Sequence, residues 1–130
     1  MRIWSYSYVS VMAKNAMARI FSISYDESLL RSREFLLRQM GHTVTSAEGF
    51  VQAVELCAKD PEAFDLIILG HSIPHKDKVA IIKGCRRTRN CPVLALIRLN
   101  EPLIPEADHS IDPSDTAVFV RTVQQLTNRK

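Results

Sequence analysis

The run Leu66-Ile67-Ile68-Leu69 is apolar at every position, opens after Asp65 and stops at Gly70. A segment of strand length with no polar alternation has no face to give to water, so it belongs in the middle of a parallel sheet with helices on both sides. The rest of the chain must therefore supply helices for two faces, and its patterning does. Arg19 to Ser24 reads as a first strand. Asp26 is placed to cap a helix running to Met40, with Leu29, Leu30, Leu36, Leu37 and Met40 inward and Gly41 ending it. His42 to Ser46 is a second strand, and Gly49 to Lys59 a second helix carrying Val51, Val54, Leu56 and Ala58, before Asp60-Pro61 breaks the chain. Asp65 to Leu69 is the third strand, Lys78 to Arg87 a third helix, Pro92 to Ile97 a fourth strand and Ala107 to Ile111 a polar edge strand. Pro113-Ser114-Asp115 starts a last helix with Val118, Phe119, Val123 and Leu126 inward.

Strand and helix alternating in this way predict an α/β fold, a doubly wound parallel sheet of five strands with right-handed crossovers and flavodoxin-like order 2-1-3-4-5. In that order ligands gather at the carboxyl ends of strands one and three. Ser24, Tyr25 and Asp26 follow the first strand, and Gly70, His71 and Ser72 the third.

With 130 residues and 46% hydrophobic content, the chain suits one compact domain, from Arg19 to Lys130, behind an extension of residues 1–18. The cationic excess is three, too small to argue for nucleic acid. Cys57, Cys85 and Cys91 are odd in number and lack C-x-x-C spacing, so neither a disulfide framework nor a zinc site is indicated, and a reducing cytoplasm fits. Cys85 and Cys91 read as small buried apolar residues. No run is long enough to cross a membrane, and Ser5, Tyr6, Ser7, Tyr8 and Ser10 spoil the opening segment as a signal peptide.

Taken together, RIFSISYDESLL, LLRQMGHTV, AEGFVQAVEL, DLIILGHSIPHKD, PVLAL and ADHSIDPSD resemble the skeleton of CheY-like receiver domains of two-component response regulators, over Arg19 to about Leu126. That resemblance implies a phosphoacceptor aspartate after strand three, an acidic pair after strand one that holds magnesium, a hydroxyl residue ending strand four and a lysine before the closing proline. Here those positions are Gly70, Ser24 with Tyr25, Ile97 and Asp112. Magnesium wants carboxylate oxygens, and an aspartate repels a phosphoryl group where a lysine attracts it. The chain thus resembles a degenerate pseudo-receiver, with no cofactor or metal expected and a role as a non-enzymatic partner-binding module in bacterial signalling. Tyr25 is a candidate for filling the former metal space.

Only nine residues, Arg98 to Glu106, separate Ile97 from Ala107, and two of them are prolines. A parallel crossover takes about a dozen residues or more, so helix 4 of the family is expected to be shortened or absent. Its loss should bare apolar sheet around strands four and five, to be covered by a second copy of the chain or by the N-terminal segment with Ile3, Trp4, Tyr6, Tyr8, Val9, Val11 and Met12. Alternatively, translation begins at Met17 and that segment is not made. The candidate interaction surface comprises Lys83, Arg86, Arg87, Arg98, Leu99, Leu103 and Ile104, facing an unknown signalling protein. Its basic members read more readily as a solvated helix face, with an acidic partner as the minority reading. Two other readings stay open on the residues alone. One is a small-ligand-binding or catalytic α/β domain built on the Gly70 loop; the other is a receiver phosphorylated at Ser72 or His71. His71 and His75 have no Cys or His at ligand spacing to make a metal site.

Overall fold

The computed structural model describes residues 17–59, 64–87, 91–98 and 100–128. Strands β1 (Arg19–Ser24), β2 (Thr43–Glu48), β3 (Leu66–Leu69), β4 (Val93–Leu96) and β5 (His109–Ile111) alternate with helices α1 (Glu27–Gln39), α2 (Phe50–Lys59), α3 (His75–Arg86) and α4 (Thr116–Thr127). All pairings are parallel and the sheet order is β2-β1-β3-β4-β5, as the alternation predicts. β3 and β4 are buried at every position, which explains why neither alternates. In β1, Ile23 lies opposite Leu69 of β3, so Ser24 and Gly70 emerge side by side at the carboxyl edge of the sheet.

Two apolar layers flank the sheet. On one face Phe21, Ile23, Ile67, Leu69 and Ala95 meet Ala53 and Cys57 of α2 and Ile81, Ile82 and Cys85 of α3. On the other, Ile20, Leu66, Ile68 and Leu94 meet Leu37 of α1 and Phe119 and Val123 of α4. Local chemistry sets the helix ends: Asp26 accepts from the Leu29 N–H and Asp115 from those of Ala117 and Val118, while Gly41 leaves α1 at φ 98°, open to glycine at little cost. Ala18 precedes β1 yet is buried, its N–H donating to His42 Nδ1 at 3.2 Å.

Several expectations are corrected. Helix α3 begins at His75, three residues before the expected Lys78, because Pro74 presets the turn and its carbonyl accepts from the Lys78 N–H at 3.0 Å. Helix α2 presents its small residues to the sheet. Ala53 and Cys57 face the sheet, whereas Val51 and Val54 are 68% and 44% exposed, since small residues let the helix lie close to the sheet. Cys57 and Cys85 form a disulfide, with Cα atoms 5.9 Å apart, contrary to the expectation of unpaired thiols. An odd count forbids complete pairing but not one pair, and both residues lie on the buried stripes of facing helices. Closing a separation of 28 residues contributes about 3.6 kcal/mol in the chain-entropy account.

Between β4 and β5 the described residues form turns and no helix. The sheet beside them is not bare, however. Ile104 of this connection is 2% exposed and packs in the same layer as Ile97, Val93 and Ile81. The chain fills the gap itself, so Ile104 is a core residue and not part of an interaction surface. Among the described residues no helix is long and apolar enough to cross a membrane.

Candidate functional site

At the carboxyl edge two hydroxyls lace the loops after β1 and β3 together. Ser24 is fully buried; its Oγ donates to the Asp26 carbonyl and accepts from the Asp26 N–H, each at 3.0 Å, and lies 3.3 Å from Ser72 Oγ. The Tyr25 N–H donates to Ser72 Oγ at 3.1 Å. The Tyr25 ring, a candidate for filling a metal space, is turned towards α3 instead. It packs on the α2 and α3 layer, and its hydroxyl donates to Asp77 Oδ2 at 2.8 Å. Burial, then the hydrogen bond and the charge of Asp77, raise its pKa well above the ordinary phenol value.

The side chain that approaches Gly70 is that of Arg33, which was not among the expected site residues. A Cβ at Gly70 would lie 3.0 Å from Arg33 Nη1, 3.1 Å from the Ile23 carbonyl oxygen and 3.3 Å from Ser24 Cβ. Gly70 does not take a positive φ, so glycine is favoured here by crowding and not by backbone conformation. Arg33 Nη1 is buried and finds no hydrogen-bond partner among the described residues, while Nη2 lies 3.4 Å from His71 Nδ1. Burial lowers the Arg33 pKa and Asp26 opposes the shift. A guanidinium keeps its charge even so, because its intrinsic pKa is very high.

A second cation comes from α3. Lys78 is fully buried, its Nζ donating to the Leu96 carbonyl at 3.1 Å and to Glu101 Oε2 at 2.7 Å. It pins the β4–β5 connection to the end of β4. His71 lies in the field of these groups: burial lowers its pKa first, followed by Arg98, Arg33 and Lys78, with Asp26 opposing. Asp112 is exposed and accepts from the Ser114 N–H at 2.8 Å, closing a turn before α4; that bond holds its pKa below the usual carboxylate value. Ile97, where the resemblance implies a hydroxyl, is buried with Ile104.

Of the expected site residues, Ser24, Gly70, His71 and Ser72 thus meet at one place, with Asp26 at its rim. Tyr25 leaves it for Asp77, Ile97 belongs to the core, and Asp112 is linked to it only through the charge of His71 and Arg98, which lower the Asp112 pKa after its bonds to Ser114. The donor set does not suit magnesium: the hydroxyl of Ser24 is committed to its own loop, Gly70 offers no side chain, and the cationic guanidinium of Arg33 lies beside it. On the expected interaction surface, Lys83 and Arg87 are exposed, Arg98 is exposed, and Leu103 is 71% exposed. Arg86 is tied to Asp108 at 2.6 Å, and Leu99 lies outside the described residues.

No family model and no curated protein matches the sequence. The fold, by contrast, is that of the receiver domains of two-component response regulators. A response regulator from Clostridium difficile superposes with a TM-score of 0.74 at 20% identity, over 87% of this chain and 98% of that one. A CheY-like receiver domain from Methylobacillus flagellatus gives 0.71 at 14% identity, over 85% and 98%. The response regulator TrrA from Thermotoga maritima, solved in complex with Mg(2+)-BeF, gives 0.71 at 17% identity, over 85% and 99%. At these identities the likeness is one of fold.

Proposed function

We propose that this chain is a pseudo-receiver: a receiver fold that does not accept phosphate and acts in two-component signalling through a protein surface, without catalysis. The observation that carries this reading is the guanidinium of Arg33 seated against Gly70, where an acceptor carboxylate and its metal would both have to fit. The remaining hydroxyl and imidazole are poor substitutes as acceptors. Ser72 Oγ is engaged by Ser24 and the Tyr25 N–H, and His71 Nδ1 faces Arg33. Any switching then comes from a partner that binds one conformation better than another.

Titration of the labelled protein with beryllofluoride and magnesium tests the reading, alongside intact-mass measurement after acetyl phosphate. The expected result is no amide shift at Gly70, His71 or Ser72 and no added phosphoryl mass. A saturable shift centred on those three residues, or phosphorylation at any of them, would overturn it.

A further inference from the structure

Among the described residues, Arg33 is the one arginine that is neither exposed nor paired with a carboxylate. Arg19, Arg31, Arg38 and Arg86 each hold an ion pair, Arg87, Arg98 and Arg121 are exposed, and the buried Lys78 has Glu101. The guanidinium of Arg33 instead makes one contact, the 3.4 Å approach of Nη2 to His71 Nδ1, while Nη1 is buried with no partner among the described residues. Asp26, whose charge reaches it, is committed to the Leu29 N–H as the helix cap. Position 70 supplies no counter-ion either, because Gly70 stands where a side chain would meet Nη1. A cation withdrawn from water without an anion leaves its desolvation uncompensated.

The same residue borders a cavity. Between the amino-terminal half of α1 and the start of α4 lies a space of about 170 Å³, walled by the buried Leu96 and Phe119 and by Leu29 and Leu36, with Thr116 adding a hydroxyl. Both helices begin at the carboxyl edge of the sheet, so the cavity sits where ligands of doubly wound sheets gather. An apolar cavity of about 150 Å³ is enough to hold benzene. We infer that this cavity binds a small organic monocarboxylate, its carboxylate taken by Arg33 and an apolar body the size of a single ring lying against Leu29, Leu36, Leu96 and Phe119. The chemistry selects this class. A guanidinium matches a carboxylate with two parallel bonds, whereas a phosphate brings no apolar body to these walls and more charge than one guanidinium offsets. Asp26 acts against any second negative group. Such binding needs neither magnesium nor a phosphoacceptor, so its failure would leave the pseudo-receiver reading standing.

Benzoate and isovalerate, titrated without magnesium into the isotope-labelled full chain, test this by NMR. At least one should bind saturably at millimolar concentration, shifting the Arg33 side chain and the amides of Thr116 and Phe119. Benzamide, a neutral isostere, and acetate, which lacks the apolar body, should each bind at least about ten-fold more weakly. Arg33→Met should weaken binding by a similar factor, and so should Gly70→Asp, which gives the guanidinium an internal counter-ion. The comparison of the four small molecules needs no variant, and so decides the matter even where a substitution unfolds the domain. Absence of saturation by both benzoate and isovalerate, or shifts that spare those residues, overturns the inference. Benzamide binding as tightly as benzoate overturns it too, since the site would then be an apolar hole without use of the charge. Acetate binding as tightly would make the occupant a bare carboxylate, such as an acidic side chain of a partner protein, and binding undiminished in Arg33→Met would place the site elsewhere; either result overturns it.

Discussion

Gly70, Arg33 and Lys78 illustrate how a single side chain can be read, or missed, in a sequence. That position 70 offers no acceptor group was legible from the residue type alone, because glycine carries no side chain. Two inward cations, the half-buried Arg33 and the buried Lys78, were not recognised, yet each left a signal. Arg33 stands three residues after Leu30 and four before Leu37, inside the buried stripe of α1, and Lys78 shares one stripe with Ile81, Ile82 and Cys85. A charge at an inward position of a helix is either paired or aimed into a site, a signal that the pattern of apolar residues alone passes over. Introducing Gly70→Asp places a carboxylate against Arg33, whose flexible end can give way. A double-mutant cycle of Gly70→Asp with Arg33→Met should show favourable coupling of about 1–3 kcal/mol by urea unfolding. Additive effects of the two substitutions would mean that Arg33 does not face position 70.

The β4–β5 connection shows the same at the scale of an element. Its shortness and its prolines gave away the missing regularity, but nothing in the spacing said which residue would turn inward. Ile104 does so and Leu103 does not, a choice made by the tether between Lys78 and Glu101 as much as by hydrophobicity. Ile104→Ala should cost about 3 kcal/mol by leaving a cavity beside Ile97, while Leu103→Ala should stay within about 0.5 kcal/mol, both measured by chemical denaturation. Equal costs would show that the connection does not plug the sheet. In helix α2 the pattern of Val51, Val54, Leu56 and Ala58 gave the length but not the face that packs: Leu56 lies partly buried against the core, while close approach to the sheet selected Ala53 and Cys57.

For the molecule as a whole, the sheet order followed from the alternation of strands and helices, because unbroken apolar strands and right-handed crossovers leave few arrangements. The disulfide was hidden, since three cysteines allow three pairings and only the packing of α2 on α3 selects one. The buried His42, like His71, ties overall stability to pH. Burial lowers both pKa values from the ordinary 6.5, so the unfolded chain binds protons that the folded one refuses. Stability should therefore be complete above pH 6.5 and fall as pH drops below it, levelling off once the folded pKa is passed. His42→Asn keeps an acceptor for the Ala18 N–H and should flatten part of that decline in urea titrations at pH 7.5 and 5.5. An unchanged slope in the variant would remove His42 as a source of the effect.

The crowding around Gly70 also sets what a change at this position can do. An aspartate placed there would meet a guanidinium already in place and be held as its counter-ion, unavailable to a metal. Removing Arg33 alone would supply nothing, because position 70 would still carry no side chain. Either change by itself leaves the pocket without a free carboxylate, so the two positions act as one lock with two keys.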